Sequence, residues 1–196
     1  MGSIGYDSKT ALIIVDVQND FADSKGNLYV SSGEEVVPVI NRQIEAAKAA
    51  DALVVYTADW HPESTPHFQK DGGIWPVHCI GDTWGAEFHP DLVVDGPVIR
   101  KGTNGEDGYS GFTMQNPETM ETIPTRLAEL LRDRRIEWIV VVGLATDYCV
   151  KATALDGKTA GFNVALMTDA VRSVDLTPGD GQRALADVEA AGVVLV

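Results

Sequence analysis

Short apolar runs rich in Val and Ile recur at residues 11–17, 53–57, 97–100, 139–143, 163–168 and 193–196. Within each run the apolar residues follow one another without polar alternation. This is the pattern of strands buried on both faces of a parallel sheet. Between the runs, Val36, Val37, Ile40, Ile44 and Ala47 fall at helical spacing and define one apolar helix face. Pro38 sits in the first turn of that helix, where its missing N–H is tolerated. Ile123, Leu127 and Leu130 predict a second helix and residues 150–155 a third. Leu185 and Val188 mark the last, with Gly192 as its stop. Strands alternating with helices imply βαβ units with right-handed crossovers. The expected fold is therefore α/β: a three-layer α/β/α sandwich around a mainly parallel, doubly wound sheet of about six strands.

Two stretches break the alternation. Residues 59–95 are rich in Pro, His, Trp and Gly with little periodicity, and residues 102–117 are also irregular. Loops of this length in a compact domain are usually functional. No repeat, low-complexity segment or linker divides the chain, so residues 1–196 are expected to form a single domain.

The formal net charge of −14 is spread along the chain rather than gathered in a tail. A field of that sign repels nucleic acid and anionic lipid, so neither is expected as a partner. It does not discriminate against a small neutral molecule. No apolar run approaches the roughly 18–20 residues of a membrane span. The first ten residues lack the basic-then-apolar layout of a secretory signal, which makes the cytoplasm the expected location. The two cysteines, Cys79 and Cys149, make no disulfide framework. Oligomeric state is not legible at this level, and a homo-oligomer is compatible with the sequence.

In open α/β sheets, ligands bind outside the carboxyl ends of the strands. Asp16 closes the first apolar run, Asp59 and His61 follow the second, Lys101 the third, and Thr146-Asp147-Tyr148-Cys149 the fourth. Cys149 falls about where a helix begins, with Thr146 or Asp147 placed to cap it. A helix N-terminus lowers a thiol pKa and offers N–H groups to an oxyanion. Most free cysteines are small buried apolar residues, and position alone leaves these two roles evenly matched. Asp16 is placed to be desolvated and so to become a general base. Its plainer role is a turn ligand for Asn19 and Asp20. Lys101 could hold Asp16 and a thiolate by charge, although most lysines are solvated.

Asp59 and His61 are spaced i, i+2, so on extended backbone both point the same way. His67 and His78 follow in the same irregular stretch, whereas His89 is expected to be a surface residue. A carboxylate with two or three imidazoles suits one divalent metal ion, zinc foremost, with iron and manganese as alternatives.

The sequence resembles the nicotinamidase/pyrazinamidase branch of the isochorismatase-like cysteine hydrolases. The motifs that carry the resemblance span nearly the whole chain in order. They are Val15-Asp16-Val17-Gln18-Asn19-Asp20-Phe21, Asp59-Trp60-His61-Pro62, Trp75-Pro76-Val77-His78-Cys79, Arg100-Lys101-Gly102, Tyr109-Ser110-Gly111-Phe112 and Gly143-Leu144-Ala145-Thr146-Asp147-Tyr148-Cys149-Val150. The resemblance implies a catalytic triad of Asp16, Lys101 and Cys149, and metal ligands Asp59, His61 and His78. His67 would be a fourth ligand, at a position whose identity varies among members. It also implies a cis peptide between Leu144 and Ala145, with the Ala145 and Cys149 N–H groups forming the oxyanion hole. Phe21, Trp75 and Tyr109 match aromatic positions of the ring pocket. Trp84 departs from the pattern of many relatives, which carry a smaller residue near the entrance.

The activity so implied is hydrolysis of nicotinamide, and of pyrazinamide, to the acid and ammonia through a cysteine thioester. Metal-activated water with Cys149 as a bystander is an alternative chemistry. An N-carbamoyl, ureido or maleamate-type amide is an alternative substrate. The metal set favours a ring amide, because it gives a ring nitrogen something to bind. A non-catalytic binding module is disfavoured, since no position of the triad or the metal set is missing.

Overall fold

The computed structural model describes residues 5–196, so residues 1–4 of the polar N-terminal stretch lie outside the described residues. Among the described residues, eight strands occur in the order β1 (Thr10–Val15), β2 (Leu53–Asp59), β3 (Val98–Lys101), β4 (Thr113–Gln115), β5 (Thr122–Pro124), β6 (Trp138–Leu144), β7 (Asn163–Arg172) and β8 (Val194–Leu195). The six that match the apolar runs form one sheet, ordered β3-β2-β1-β6-β7-β8, and every pairing in it is parallel. The helices are α1 (Asn19–Ala22), α2 (Val36–Ala49), α3 (Leu127–Asp133), α4 (Lys151–Thr159) and α5 (Asp180–Ala190).

Alternation along β1 builds the three layers. Leu12 and Ile14 pack with Val36, Val37, Ile40 and Ile44 of α2 on one face. Ala11, Ile13 and Val15 pack with Leu127 and Leu131 of α3, Ala154 of α4 and Val188 of α5 on the other. β1 is buried throughout, which is why its sequence shows no polar alternation. Among the described residues, no helix is long and apolar enough to cross a membrane.

The second helix begins later than its apolar spacing predicts. Ile123 lies in β5, which pairs antiparallel with β4 as a hairpin apart from the main sheet. The cause is Pro124, which pushes the preceding residue away from the helical region. The short α1 and the β4–β5 hairpin have no periodicity long enough to announce them. Residues 59–95 hold only two short 3₁₀ turns, at Gln69–Asp71 and Trp84–Ala86, and isolated bridges such as His61 with Ile80.

The sheet places its switch point between β1 and β6. From β1 the chain winds outward through β2 to β3, and from β6 it winds the other way through β7 to β8. At this point Gly143 of β6 lies opposite Val15, with φ +112°. A Cβ on Gly143 would sit 2.1 Å from the Val15 carbonyl oxygen. Gly143→Ala is therefore expected to destabilise the protein by about 2 kcal/mol or more, because it combines an unfavourable φ with a backbone clash. Urea unfolding checks this, and a midpoint equal to wild type would contradict it.

Candidate active site

Four adjacent strands deliver the site. Lys101 ends β3, Asp59 ends β2, Asp16 follows β1, and Cys149 lies in the turn after β6. In the sheet these strands stand side by side, so residues far apart in sequence converge at one carboxyl edge. Asp16 turns off the strand with φ +50°, a conformation Asp tolerates better than most residues, and its carbonyl accepts the Gln18 N–H at 2.8 Å.

Lys101 is the hub. Its Nζ donates to Asp16 Oδ2 at 2.7 Å and to the carbonyls of Gly108 (2.5 Å) and Tyr109 (3.2 Å), and it lies 3.5 Å from Cys149 Sγ. It also stands 2.9 Å from Asp59 Oδ1, close enough for an ion pair but without hydrogen-bond geometry. Both Lys101 and Asp16 are fully buried. Burial opposes the Lys101 charge, yet Asp16 and Asp59 outweigh it and lift the ammonium pKa well above its ordinary value. Burial likewise raises the Asp16 carboxyl, with Lys101 pulling the other way. The second oxygen of Asp16 accepts the Thr57 hydroxyl at 2.6 Å.

Cys149 differs from the expected helix-capped thiolate. It sits in a single π-helical turn, Thr146–Val150, that precedes α4. Neither Thr146 nor Asp147 caps that turn. The Asp147 carboxylate instead accepts the N–H groups of Val174 (3.0 Å) and Asp175 (2.9 Å), tying the loop after β7 to the cysteine turn. Burial pushes the Cys149 thiol well above its ordinary pKa, opposed by Lys101. Burial thus favours the neutral thiol, and forming the thiolate calls for a base. The Leu144–Ala145 peptide is cis.

The metal-type residues gather beside this group. Ligand-capable nitrogens of His61, His67 and His78 lie within 4.8 Å of one another. Asp59 Oδ2 is 3.8 Å from His61 Nε2 and 3.9 Å from His78 Nε2. Burial drives His78 down to about 4, and its Nδ1 donates to the Pro76 carbonyl at 2.8 Å, so Nε2 keeps a free lone pair. His67 Nδ1 contacts the Asp107 carboxylate, whose pKa that bond lowers. His61 is buried, yet neither of its ring nitrogens has a hydrogen-bond partner. Buried polar atoms are rarely left this way. A divalent ion held by this carboxylate and these imidazoles would give one His61 nitrogen its partner, and the donor set fits one. Gly102, at φ +73°, leaves room for the ring, since a Cβ there would lie 2.7 Å from His61 Nδ1. His89 stays outside the cluster.

Both groups open onto one pocket. Phe21, Trp75 and Tyr109 line it, together with Ala145, Cys149, Asp59 and the three histidines. Trp75 Nε1 donates to Tyr109 Oη at 2.8 Å, and the Trp75 and Tyr148 rings meet edge to face at 4.8 Å. Trp84 does not shape this pocket. It is 46% exposed and borders a neighbouring surface groove with Lys25 and Asn27.

Several supporting residues are not singled out by the sequence. Gln18 is fully buried, and its amide donates to the carbonyls of Asp59 (2.7 Å) and Ala86 (2.8 Å) while accepting the Asp59 N–H (2.8 Å). It thereby fixes the end of β2 at the metal cluster. Leu28, Val30, Tyr148 and Val174 complete the apolar wall. Gln18 and Tyr148 belong to the motifs quoted above, whereas Leu28, Val30, Val174, Thr57 and Asp107 give no local signal of their place.

Comparison with known proteins agrees with this architecture. The isochorismatase domain model matches residues 10–196. The nicotinamidase of Escherichia coli is 36% identical, covering 94% of this chain and 93% of its own length. Among solved structures, Pyrococcus horikoshii pyrazinamidase in complex with zinc is 41% identical with a TM-score of 0.85, covering 96% of this chain and 98% of that one. PnC1 from L. infantum in complex with nicotinate is 36% identical with a TM-score of 0.88, covering 98% and 95%. With a family model matched over residues 10–196 and relatives of this identity over most of their length, the chain belongs to the isochorismatase family, in its nicotinamidase/pyrazinamidase branch.

Proposed function

We propose that the protein is an amidohydrolase that converts nicotinamide to nicotinate and ammonia, and accepts pyrazinamide as an analogue. The observation that carries this is a single pocket, between aromatic walls, that brings Cys149 of the buried Asp–Lys–Cys group beside a three-histidine cluster whose His61 ring has no partner. The nicotinate bound to the L. infantum relative and the zinc bound to the P. horikoshii relative support the same assignment. Asp59, His61, His78 and His67 would hold the metal, zinc foremost. Bound there, it supplies a Lewis-acid site for the ring nitrogen.

The residues of the chain divide the remaining work. Phe21, Trp75 and Tyr109 hold the ring, which presents the carboxamide carbon to Cys149. Asp16 takes the thiol proton as Sγ bonds to that carbon. Lys101 balances the charge of Asp16 and of the sulfur throughout. The N–H groups of Ala145 and Cys149 receive the tetrahedral oxyanion, a donation worth roughly 3–4 kcal/mol per group in comparable sites. The C–N bond breaks as Asp16 returns the proton to the departing ammonia. Water then gives a proton to Asp16 and its hydroxide to the thioester carbon. The C–S bond breaks, the sulfur recovers its proton from Asp16, and nicotinic acid leaves and loses its carboxyl proton to solvent as nicotinate.

Ammonia release from nicotinamide by the purified protein tests the assignment. Cys149→Ala is expected to reduce release to background while zinc content stays at the wild-type level. Turnover by the alanine variant would shift the chemistry to metal-activated water. Chelation is expected to weaken release, with recovery on zinc add-back. A folded, zinc-loaded wild type without release would reject the substrate and leave the carbamoyl, ureido and maleamate-type amides.

The charge balance around Lys101 gives a separate test on metal-free protein. Lys101→Met leaves the Asp16 and Asp59 carboxyls buried without their cation, at an expected cost of about 3–5 kcal/mol in urea unfolding. An unchanged midpoint would mean that Lys101 does not hold the site together.

A further inference from the structure

We propose that Asp107 is a positioning residue for the metal centre. Its carboxylate accepts the Nδ1–H of His67, which turns Nε2 of that ring toward His61 and His78 and makes His67 a full ligand. The inference rests on the metal-dependent reading above and deepens it.

His67 lies in the irregular stretch 59–95, outside any helix or strand, so regular backbone does not set the direction of its ring. Side-chain contacts do. The His67 N–H donates to Thr65 Oγ1 at 3.3 Å, and the Thr65 hydroxyl donates to the Gly105 carbonyl at 3.1 Å. These bonds dock the 65–67 segment on the loop that follows β3. Asp107 belongs to that loop and is itself anchored. Its N–H donates to the Gln115 carbonyl at 2.8 Å, and its carbonyl accepts the Gln115 N–H at 2.7 Å. The β4–β5 hairpin thus supplies a fixed base for the carboxylate. A carboxylate is acceptor only, so the proton of a neutral His67 ring resides on Nδ1 and the lone pair on Nε2.

The three imidazoles are consequently unequal. His78 donates to a carbonyl, His67 to a carboxylate, and His61 has no partner on either nitrogen. A carboxylate partner fixes tautomer and orientation and also raises ligand basicity. His67 is therefore the imidazole of the three whose hydrogen-bond partner is charged.

Zinc affinity of the purified protein, measured by competition with a chromophoric chelator, tests this without reference to turnover. Asp107→Ala is expected to weaken zinc binding about 10–100-fold. Asp107→Asn keeps an acceptor for Nδ1–H and is expected to bind closer to wild type than the alanine variant does. In a His67→Ala background, Asp107→Ala should weaken binding no further, because the residue acts through the lost ring. The Asp107 side chain is 37% exposed, so its truncation removes little packing. Matching urea midpoints of the metal-free proteins exclude a general loss of structure, and Asp107→Ser makes the same comparison if the alanine variant does not fold. Unchanged affinity in Asp107→Ala, or an undiminished loss in the His67→Ala background, would overturn the proposal. A wild type that takes up no zinc would instead overturn the metal reading beneath it.

Discussion

One buried ammonium organises this active site. Lys101 brings a full charge to a fully buried position, and the chain must answer it within reach of Nζ. The answer comes from Asp16 and Asp59, two carboxylates at the ends of neighbouring strands, and from the carbonyls of Gly108 and Tyr109. Each ion would cost several kcal/mol if buried alone. Paired, they tie three parallel strands together at their carboxyl ends. The same pairing joins the two halves of the site, because Asp16 faces the Cys149 side and Asp59 the histidines. Excess negative charge remains where two carboxylates meet one ammonium, and it lies against His61 and His78, where a divalent cation fits.

The electrostatics also explain why Cys149 needs so much company. Burial of Cys149 raises the cost of a thiolate, and burial lifts the Asp16 carboxyl for the same reason. Lys101 favours the charged form of both. A proton can therefore pass between sulfur and carboxylate while the ammonium balances whichever one is charged. Thr57 and the Gly108 and Tyr109 carbonyls keep the partners in place.

Much of this was legible in the sequence because it follows from uninterrupted apolar runs. A strand such as β1 with no polar position must be buried on both faces, and groups that end such strands must collect along one edge. The i, i+2 spacing of Asp59 and His61 on extended backbone brings them to one side for an equally local reason. What escaped depends on tertiary contacts. Gln18 reads as one polar residue of a motif, and only the fold shows its amide spanning Asp59 and Ala86. Asp107 acts on a histidine forty positions away in sequence. At Cys149 a helix end suggests a lowered pKa, whereas burial, which the local sequence does not announce, raises it. The spacing of Ile123 predicts a helix, and Pro124 overrides that spacing locally.

The central claim is that Cys149 carries the acyl group between two half-reactions. Rapid acid quench of the zinc-loaded enzyme with excess nicotinamide, followed by intact-protein and peptide mass analysis, addresses it directly. The account predicts a nicotinoyl adduct on the peptide containing Cys149, formed before nicotinate reaches its steady rate and discharged as nicotinamide is exhausted. Nicotinate accumulating from the first turnover, with no adduct on that peptide at any quench time, would contradict it.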